Sequence, residues 1–579
     1  MKPNKYCHFA PALALSGVLG FMSSFAFSET AGQLTQPSYA PDVIRQVPGG
    51  FEFPALSTLS VPKGAENLKV TPSGLVIEGQ LKGVEEQTDK IEAGIKNKQI
   101  SGVELFEAAQ KLESAYVQAG YVLARVSLPP QTIKDGLPLR LVVTNGFVES
   151  IDASAFYGVT KQRIEAVLQP LVGKMILLKR ELERRLLLAG DIPGVSLRST
   201  LKAGDKPGAT MIIVDGRYDP VSLTASVNNS LSDGVGNYGA SVGANFNNTL
   251  GLGEAGYFQL GGYFGTENSV FSGAPRNRQI VAGFNLPLSI DGAWMNAEVV
   301  SSQTHPTTDV GYTVPDDYQR FSTKLGYHWV RSRNLNTSSV LGLDLIDEKL
   351  SLDLQGVREN WKQDKVSILR LTQNVDMYTH SNGFLSGEIT ASFGVDGIGA
   401  RSPTSALKMS RDGAEPEFKK LAISANYQQG FKNTRLQLSL SGKAQTSMGD
   451  TLISSEEFSL GGFDWISAFE GGVLMGDSGA VVRGELSLPL LLPETLSLPG
   501  LASNIVPYVY GAAGAASIEK PTAAEDKYTN AKAFGIGLRI GDSKADSAFN
   551  SSLALEYAHG NRSDGPTDGR FNFRWYARF

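Results

Sequence analysis

Apolar positions between residues 66 and 215 follow two alternating periods, whereas from Arg217 onward they follow only one. Leu105, Ala109, Leu112 and Tyr116 recur at helical spacing, and Gly120, free to take the left-handed conformation of a helix C-cap, ends their helix. Around it the pattern predicts strands over 74–78, 122–127 and 137–144, with Pro129-Pro130 and Lys134-Asp135-Gly136 as turns. The same grammar then repeats. A strand over 147–151 is followed by a helix starting at Thr160, a second helix with Leu178, Leu182 and Leu186 on one face, and strands over 195–201 and 210–214. Glu181 and Arg185 stand four apart on that second helix and support it, and Asp191-Ile192-Pro193-Gly194 ends it. The segment therefore reads as two small α/β modules in tandem, 67–145 and 146–216, near the lower end of domain size.

Beyond Arg217 the helical period disappears. Val221, Leu223, Ala225 and Val227 alternate with Ser222, Thr224, Ser226 and Asn228, and the same holds for Tyr238 to Phe246, Ile280 to Leu286 and Phe534 to Ile540. A period of two makes one face of a strand apolar and the other polar. The last residues carry the pattern furthest: Phe571, Phe573, Trp575, Ala577 and Phe579 point one way, and Asn572, Arg574, Tyr576 and Arg578 the other. An arginine turned into hydrocarbon costs about 2 to 4 kcal/mol near the midplane, so the aromatic face is expected to meet lipid and the arginines an aqueous lumen. Backbone groups inside a bilayer must all find partners within the protein, so such strands must close into a barrel. At roughly 20 to 25 residues for a tilted strand and its connection, 217–579 predicts about 16 antiparallel strands, with 14 or 18 also acceptable. The soluble alternative, a large secreted β-sandwich or β-helix, needs no aromatic terminus.

The start of the chain assigns a compartment. Lys2 and Lys5 precede an almost wholly apolar or small stretch from Phe9 to Phe27, which closes on Ala26-Phe27-Ser28, the pattern of a secretory signal cleaved after Ser28. A retained membrane anchor fits less well, because Pro11 interrupts the run. The single cysteine, Cys7, leaves with the signal, so the mature chain is expected to hold neither disulfide nor thiolate nucleophile. Pro37, Pro41, Pro48, Pro54 and Pro62 argue against a long helix over 29–66, which reads as a flexible linker with at most a short helical turn over 42–46.

Composition narrows the chemistry. The five histidines, at positions 8, 305, 328, 380 and 559, show no metal-ligand spacing, and a net charge of −5 offers no basic stripe for nucleic acid. No Walker-type GxxxxGK[ST] or GxSxG-like element occurs, so neither nucleotide hydrolysis nor serine hydrolase chemistry is expected, and no cofactor.

Specific motifs point to a family. Gly120-Tyr121, then Leu128-Pro129-Pro130-Gln131, Gly136 and the stretch 139–146 resemble the first POTRA (polypeptide-transport-associated) module of two-partner secretion transporters. Gly173-Lys174, Leu182-Glu183-Arg184, Leu186-Leu187-Leu188 and Asp191-Ile192-Pro193-Gly194-Val195 resemble their second module, and Asn248-Thr249-Leu250-Gly251-Leu252-Gly253-Glu254 resembles the first periplasmic turn of their barrel. Two departures are visible. The first module ends on Asn145-Gly146 where an acidic residue usually precedes the glycine. Members also carry a Val-Arg-Gly-aromatic tip on a loop folded into the barrel, whose arginine pairs with a wall aspartate. Aligned on Ser459-Leu460-Gly461-Gly462 and Gly476-Asp477-Ser478-Gly479, that tip falls at Ile466-Ser467-Ala468-Phe469, with serine for the arginine, and the aspartate position holds Ala512. The joint absence is coherent, since losing one partner of an ion pair strands a charge and losing both does not. A competing alignment on Val482-Arg483-Gly484 would put the tip inside an alternating strand. In the preferred alignment Arg483 and Glu485 face the lumen, either as members of an ion pair or as solvated charges.

The resemblance implies an all-β transmembrane barrel of about 16 strands over 217–579 with an infolded loop near 463–478, preceded by two POTRA modules, in the outer membrane of a Gram-negative bacterium. It further implies secretion of a large exoprotein (an adhesin, cytolysin or contact toxin) by a monomeric pore embedded in outer-membrane lipid, and no catalysis. A factor that inserts other barrels into the membrane, or a passive porin-like barrel, would share many of these parts. A terminal strand carrying Phe571, Phe573, Trp575 and Phe579 resembles the assembly signal of such barrels.

Overall fold

A computed structural model describes residues 29–41, 61–307, 312–354, 356–493, 503–541 and 549–579. The expected signal over 1–28 and the helical turn over 42–46 lie outside the described residues.

Each module is a three-stranded sheet covered by two helices, and both share one topology. In the first, Leu139–Asn145 is central, parallel to Leu75–Glu78 and antiparallel to Ala124–Ser127. In the second, Ala209–Tyr218 is central, parallel to Phe147–Asp152 and antiparallel to Val195–Ala203. Helix Gly102–Gln118 starts with a capping box in which the Ser101 hydroxyl accepts the Glu104 N–H and the Glu104 carboxylate accepts the Ser101 N–H. Its apolar stripe, Leu105, Ala109, Leu112 and Tyr116, is fully buried. Gly120 follows at φ +99°, as expected of a residue that must turn the chain left-handed. Helix Glu85–Ile95 was not anticipated; only Thr88 and Ile95 on it are buried, too sparse a stripe to read from sequence. Gly146 links the modules, where a Cβ would lie 2.5 Å from the Leu123 carbonyl oxygen, so the closeness of the junction requires glycine.

Among the described residues, 16 long antiparallel strands close the barrel, from Val221–Asn228 to Gly565–Arg578. The seam is formed by the first and last, in register from Arg574 opposite Asn228 to Arg578 opposite Thr224, and continued by reciprocal backbone bonds between Leu223 and Phe579 of 2.9 and 3.1 Å. Phe571, Phe573 and Trp575 lie on one face of the last strand, opposite Tyr557, Leu555 and Leu553. Residues of the other parity, Asn572 and Arg574, touch the loop inside the barrel, which fixes the aromatic face as the outer one. Phe246, Phe258, Phe284, Val299 and Ile536 are likewise exposed on the outside. Wall height is uneven: the first strand has 8 residues, whereas Leu335–Leu354 and Val357–Tyr378 have 20 and 22.

The second module abuts the near rim of the barrel. Arg184 donates to the carbonyls of Asp291 (2.6 Å) and His328 (2.8 Å), Arg185 to that of Ile290 (2.9 Å), and Arg331 of the barrel pairs with Asp191 at 2.5 Å. Gly194, at φ +76°, comes so close to the link into the first strand that a Cβ would sit 2.3 Å from the Asp219 carbonyl oxygen.

Candidate functional site in the barrel lumen

Two segments that belong to no wall strand fill the lumen. The first is the connection 447–477 between strands Gln437–Thr446 and Ser478–Ser487, which folds inward. Its arms pair briefly, Phe458 with Gly476 and Ser459 with Met475. Its tip packs Ile466, Ala468 and Phe469 on a floor of Ala512, Ala531, Ala533 and Ala558 from three neighbouring strands. Small residues on that lumenal face leave the room the tip needs. Gly560 makes the same allowance, since a Cβ there would stand 2.8 Å from that of Ala468.

A buried polar network ties the tip to the wall. Ser467 donates its one hydroxyl proton to Glu556 and accepts from Tyr510, 2.5 Å away. Glu556, 1% exposed, also accepts from Arg483 at 2.5 Å and from Tyr508 at 2.8 Å. Arg483 stacks over the Tyr510 ring (3.5 Å) and donates to the carbonyls of Phe463 and Trp465 on the loop, 3.2 and 3.3 Å away. Asn572 donates to the Ser467 carbonyl at 2.9 Å, and Arg574 pairs with Asp464 at 3.0 Å. Glu485 lies 3.8 Å from Arg483 but is engaged by Arg539, which approaches both its oxygens at 2.5 and 2.6 Å. Arg483 on the wall thus reaches inward to the tip residues 463–467. At the base of the loop Glu456 binds Arg370 at 2.5 Å and also Lys420, while Arg411 holds Asp477 and Glu457.

The second segment is 29–41, and it corrects the linker reading for that stretch. It threads the lumen along the opposite wall. The N–H groups of Ala31, Gly32 and Tyr39 donate to Asp316 (2.7 Å), Glu348 (2.9 Å) and Glu298 (2.8 Å). Gln279 donates to the Leu34 carbonyl (2.8 Å), and Tyr39 donates its hydroxyl proton to Gln279 (3.0 Å). All but the Tyr39 hydroxyl bond run through backbone groups of the segment, which carry no residue identity, so no periodicity announces them. The two segments touch where Gln33 donates to Glu457 at 3.3 Å.

The module motif residues act locally. The Tyr121 hydroxyl donates to the Lys82 carbonyl (2.9 Å), and Gln131 extends the central strand by accepting the Arg140 N–H and donating to the Arg140 carbonyl, both at 2.8 Å. Pro129 is only partly buried, and Pro193 precedes the glycine that turns the chain into Val195–Ala203. Arg184 differs from these, since its partners are on the barrel. Sequence reading found Arg483 and Glu485 but missed Glu556 and Tyr508, whose lumenal parity was legible and whose convergence across the wall was not. Among the described residues no cluster of metal-ligating side chains is present.

Known proteins share this architecture. The family model described as haemolysin secretion/activation protein ShlB/FhaC/HecB matches residues 208–540, and that of a ShlB-type POTRA domain matches 70–146. The outer membrane transporter CdiB of Escherichia coli is 23% identical over 600 residues, covering 96% of this chain and 92% of its own. The heme/hemopexin transporter protein HuxB of Haemophilus influenzae is 29% identical over 172 residues, 29% of this chain and 30% of its own. The solved structure of CdiB from Escherichia coli superposes with a TM-score of 0.68 at 21% identity, covering 89% of this chain and 92% of that one.

Proposed function

Since the chain belongs to the haemolysin secretion/activation family typified by ShlB, FhaC and HecB, we propose that it exports one large partner exoprotein through its own barrel. It is an outer-membrane transporter, and its POTRA modules are periplasmic. The observation that carries the reading is a closed wall around a lumen filled by two detachable segments. Neither 29–41 nor 447–477 supplies a wall strand, so both can leave without opening the barrel.

Capture precedes passage. Val195–Ala203 is one of the two edge strands of the second module and is nine residues long. An unfolded client adds to such an edge through main-chain hydrogen bonds, which select for extended backbone and tolerate many sequences. Export then requires the loop tip and the N-terminal segment to leave the lumen. Ser467, Arg483 and Glu556 form the latch, with Ile466, Ala468 and Phe469 as its apolar part and the Glu485–Arg539 pair bracing the wall beside it. Folding of the client outside makes movement one-way, since the folded form cannot return. The protein acts as a monomer in lipid and catalyses no covalent chemistry in this reading.

The test is secretion itself. The chain is co-expressed with a candidate large exoprotein, and the culture medium is assayed. Removing 67–214 is expected to abolish release while the barrel still reaches the membrane. Undiminished release would refute the role of the modules.

A further inference from the structure

A third stretch of chain closes over the two lumenal segments from outside. The first strand leaves the second module at Val221, so alternate connections lie at the outer mouth, 396–418 between Phe384–Val395 and Lys419–Gly430 among them. This loop leans on the tall strand Val357–Tyr378, where the Gln363 N–H donates to the Lys408 carbonyl at 2.9 Å and the Arg401 N–H to the Lys365 carbonyl at 2.8 Å. From there it turns over the lumen. Met409, Ala414 and Phe418 are buried in one apolar cluster with Ala31 of the N-terminal segment and Leu452 and Ile453 of the infolded loop. Near its tip a Cβ on Gly413 would lie 2.5 Å from the Lys520 side chain, on the connection between Asn504–Ser517 and Tyr528–Gly541.

The polar contacts of this loop converge on Arg411. Its guanidinium holds Asp477 and, at 3.2 Å, Glu457, and it donates to the Leu452 carbonyl at 3.2 Å. Asp477 is wholly buried immediately before strand Ser478–Ser487 and also accepts the N–H groups of Leu452 (2.7 Å) and Glu519 (2.8 Å). Glu457 in turn accepts from Gln33 of the N-terminal segment. One guanidinium thus joins the outer loop to the infolded loop, to the wall and, through Glu457, to the N-terminal segment. Beside it the Ser410 N–H donates to Asp364 at 2.7 Å, and the Ser410 hydroxyl accepts the Ser454 N–H at 3.0 Å. A buried ion pair adds little net stability over an apolar contact, but it penalises every arrangement in which only one partner departs. Lifting the loop strands two carboxylates at once.

We propose that the outer loop 396–418 is a clasp over the exit and that Arg411 is the positioning residue that holds it down. Residues 409–418 lie across the base of the infolded loop, so the clasp lifts before that loop can swing outward and clear the lumen. This deepens the export reading, on which it rests: a departing client displaces three elements, not two.

Single-channel recording of the full-length protein in planar bilayers tests this without a client. Arg411→Ala is expected to raise the open fraction about tenfold, with Arg411→Lys in between, since an ammonium cannot serve two carboxylates as a planar fork does. A lock then stands in for the lost arginine: Ser410→Cys with Ser454→Cys, at positions already in hydrogen-bond contact. Added to Arg411→Ala, the lock should return the open fraction to the wild-type level when oxidised and release it under reductant, a reversal that mere loss of barrel stability would not show. Cys7 is the only native cysteine, and either new cysteine alone is the control and should not respond to oxidant. Heat-dependent gel mobility checks the folding of each variant; if Arg411→Ala does not fold, Arg411→Lys carries the same comparison. An open fraction within about twofold of wild type, or a raised one that the oxidised lock leaves unchanged, would overturn the clasp. A lock that silences the pore while a candidate client is still released would support the clasp and overturn the export reading.

Discussion

Replacing Arg483 by alanine isolates the contribution of the wall to holding the loop. The side chain makes a 2.5 Å pair with Glu556 and two bonds, at 3.2 and 3.3 Å, to loop carbonyls. Only the latter two are lost when the loop leaves, since Glu556 and Arg483 both belong to the wall and stay paired in either state. Hydrogen bonds from a charged donor contribute about 1.5 to 3 kcal/mol each, and their lengths place these two at the lower end, for a sum of about 3 kcal/mol. At about 1.4 kcal/mol per factor of ten, the ratio of docked to undocked loop falls by about two orders of magnitude. Single-channel recording in planar bilayers reads this directly, as a corresponding rise in the open fraction. Arg483→Lys should lie between, because a point charge cannot serve Glu556 and both carbonyls together. Ser467→Ala combined with Arg483→Ala should depart from additivity, since Ser467 donates to the Glu556 carboxylate whose charge Arg483 offsets. An open fraction for Arg483→Ala within about twofold of wild type, in a barrel of normal gel mobility, would refute the latch.

Two further outcomes follow from the contacts. Deleting 29–41 removes the N–H donors to Asp316, Glu348 and Glu298, so conductance should rise on its own and rise further with Arg483→Ala; a deletion variant as quiet as the full chain would show that the loop alone closes the lumen. Arg331→Ala breaks the 2.5 Å pair with Asp191 across the junction of module and barrel, a loss of about 1 to 3 kcal/mol at this half-buried site. Hydrogen exchange in helix Lys179–Gly190 should quicken while exchange in the barrel strands stays as before.

Much of the fold was legible because burial there is periodic. A lumen on one side and lipid on the other write a period of two into every strand, and the Leu182 and Leu186 stripe wrote the helix of the second module. Arg483 and Glu485 were legible as lumenal charges for the same reason. What escaped was convergence: Glu556 meets Ser467 across 89 residues of chain, and no local pattern encodes such a distance. The N-terminal segment escaped for another reason. Residues 29–41 form a turn over 31–34 and no helix, and a peptide held in a polar lumen largely through its backbone leaves no apolar stripe.

The uneven wall shapes what a departing polypeptide meets. With about 3.3 Å per residue and a tilt near 45°, the 14 residues by which Val357–Tyr378 exceeds Val221–Asn228 raise one flank by about 30 Å. The exit is a scoop, not a ring. On the proposed export route, a departing polypeptide meets a tall backrest on one flank and a low lip on the other.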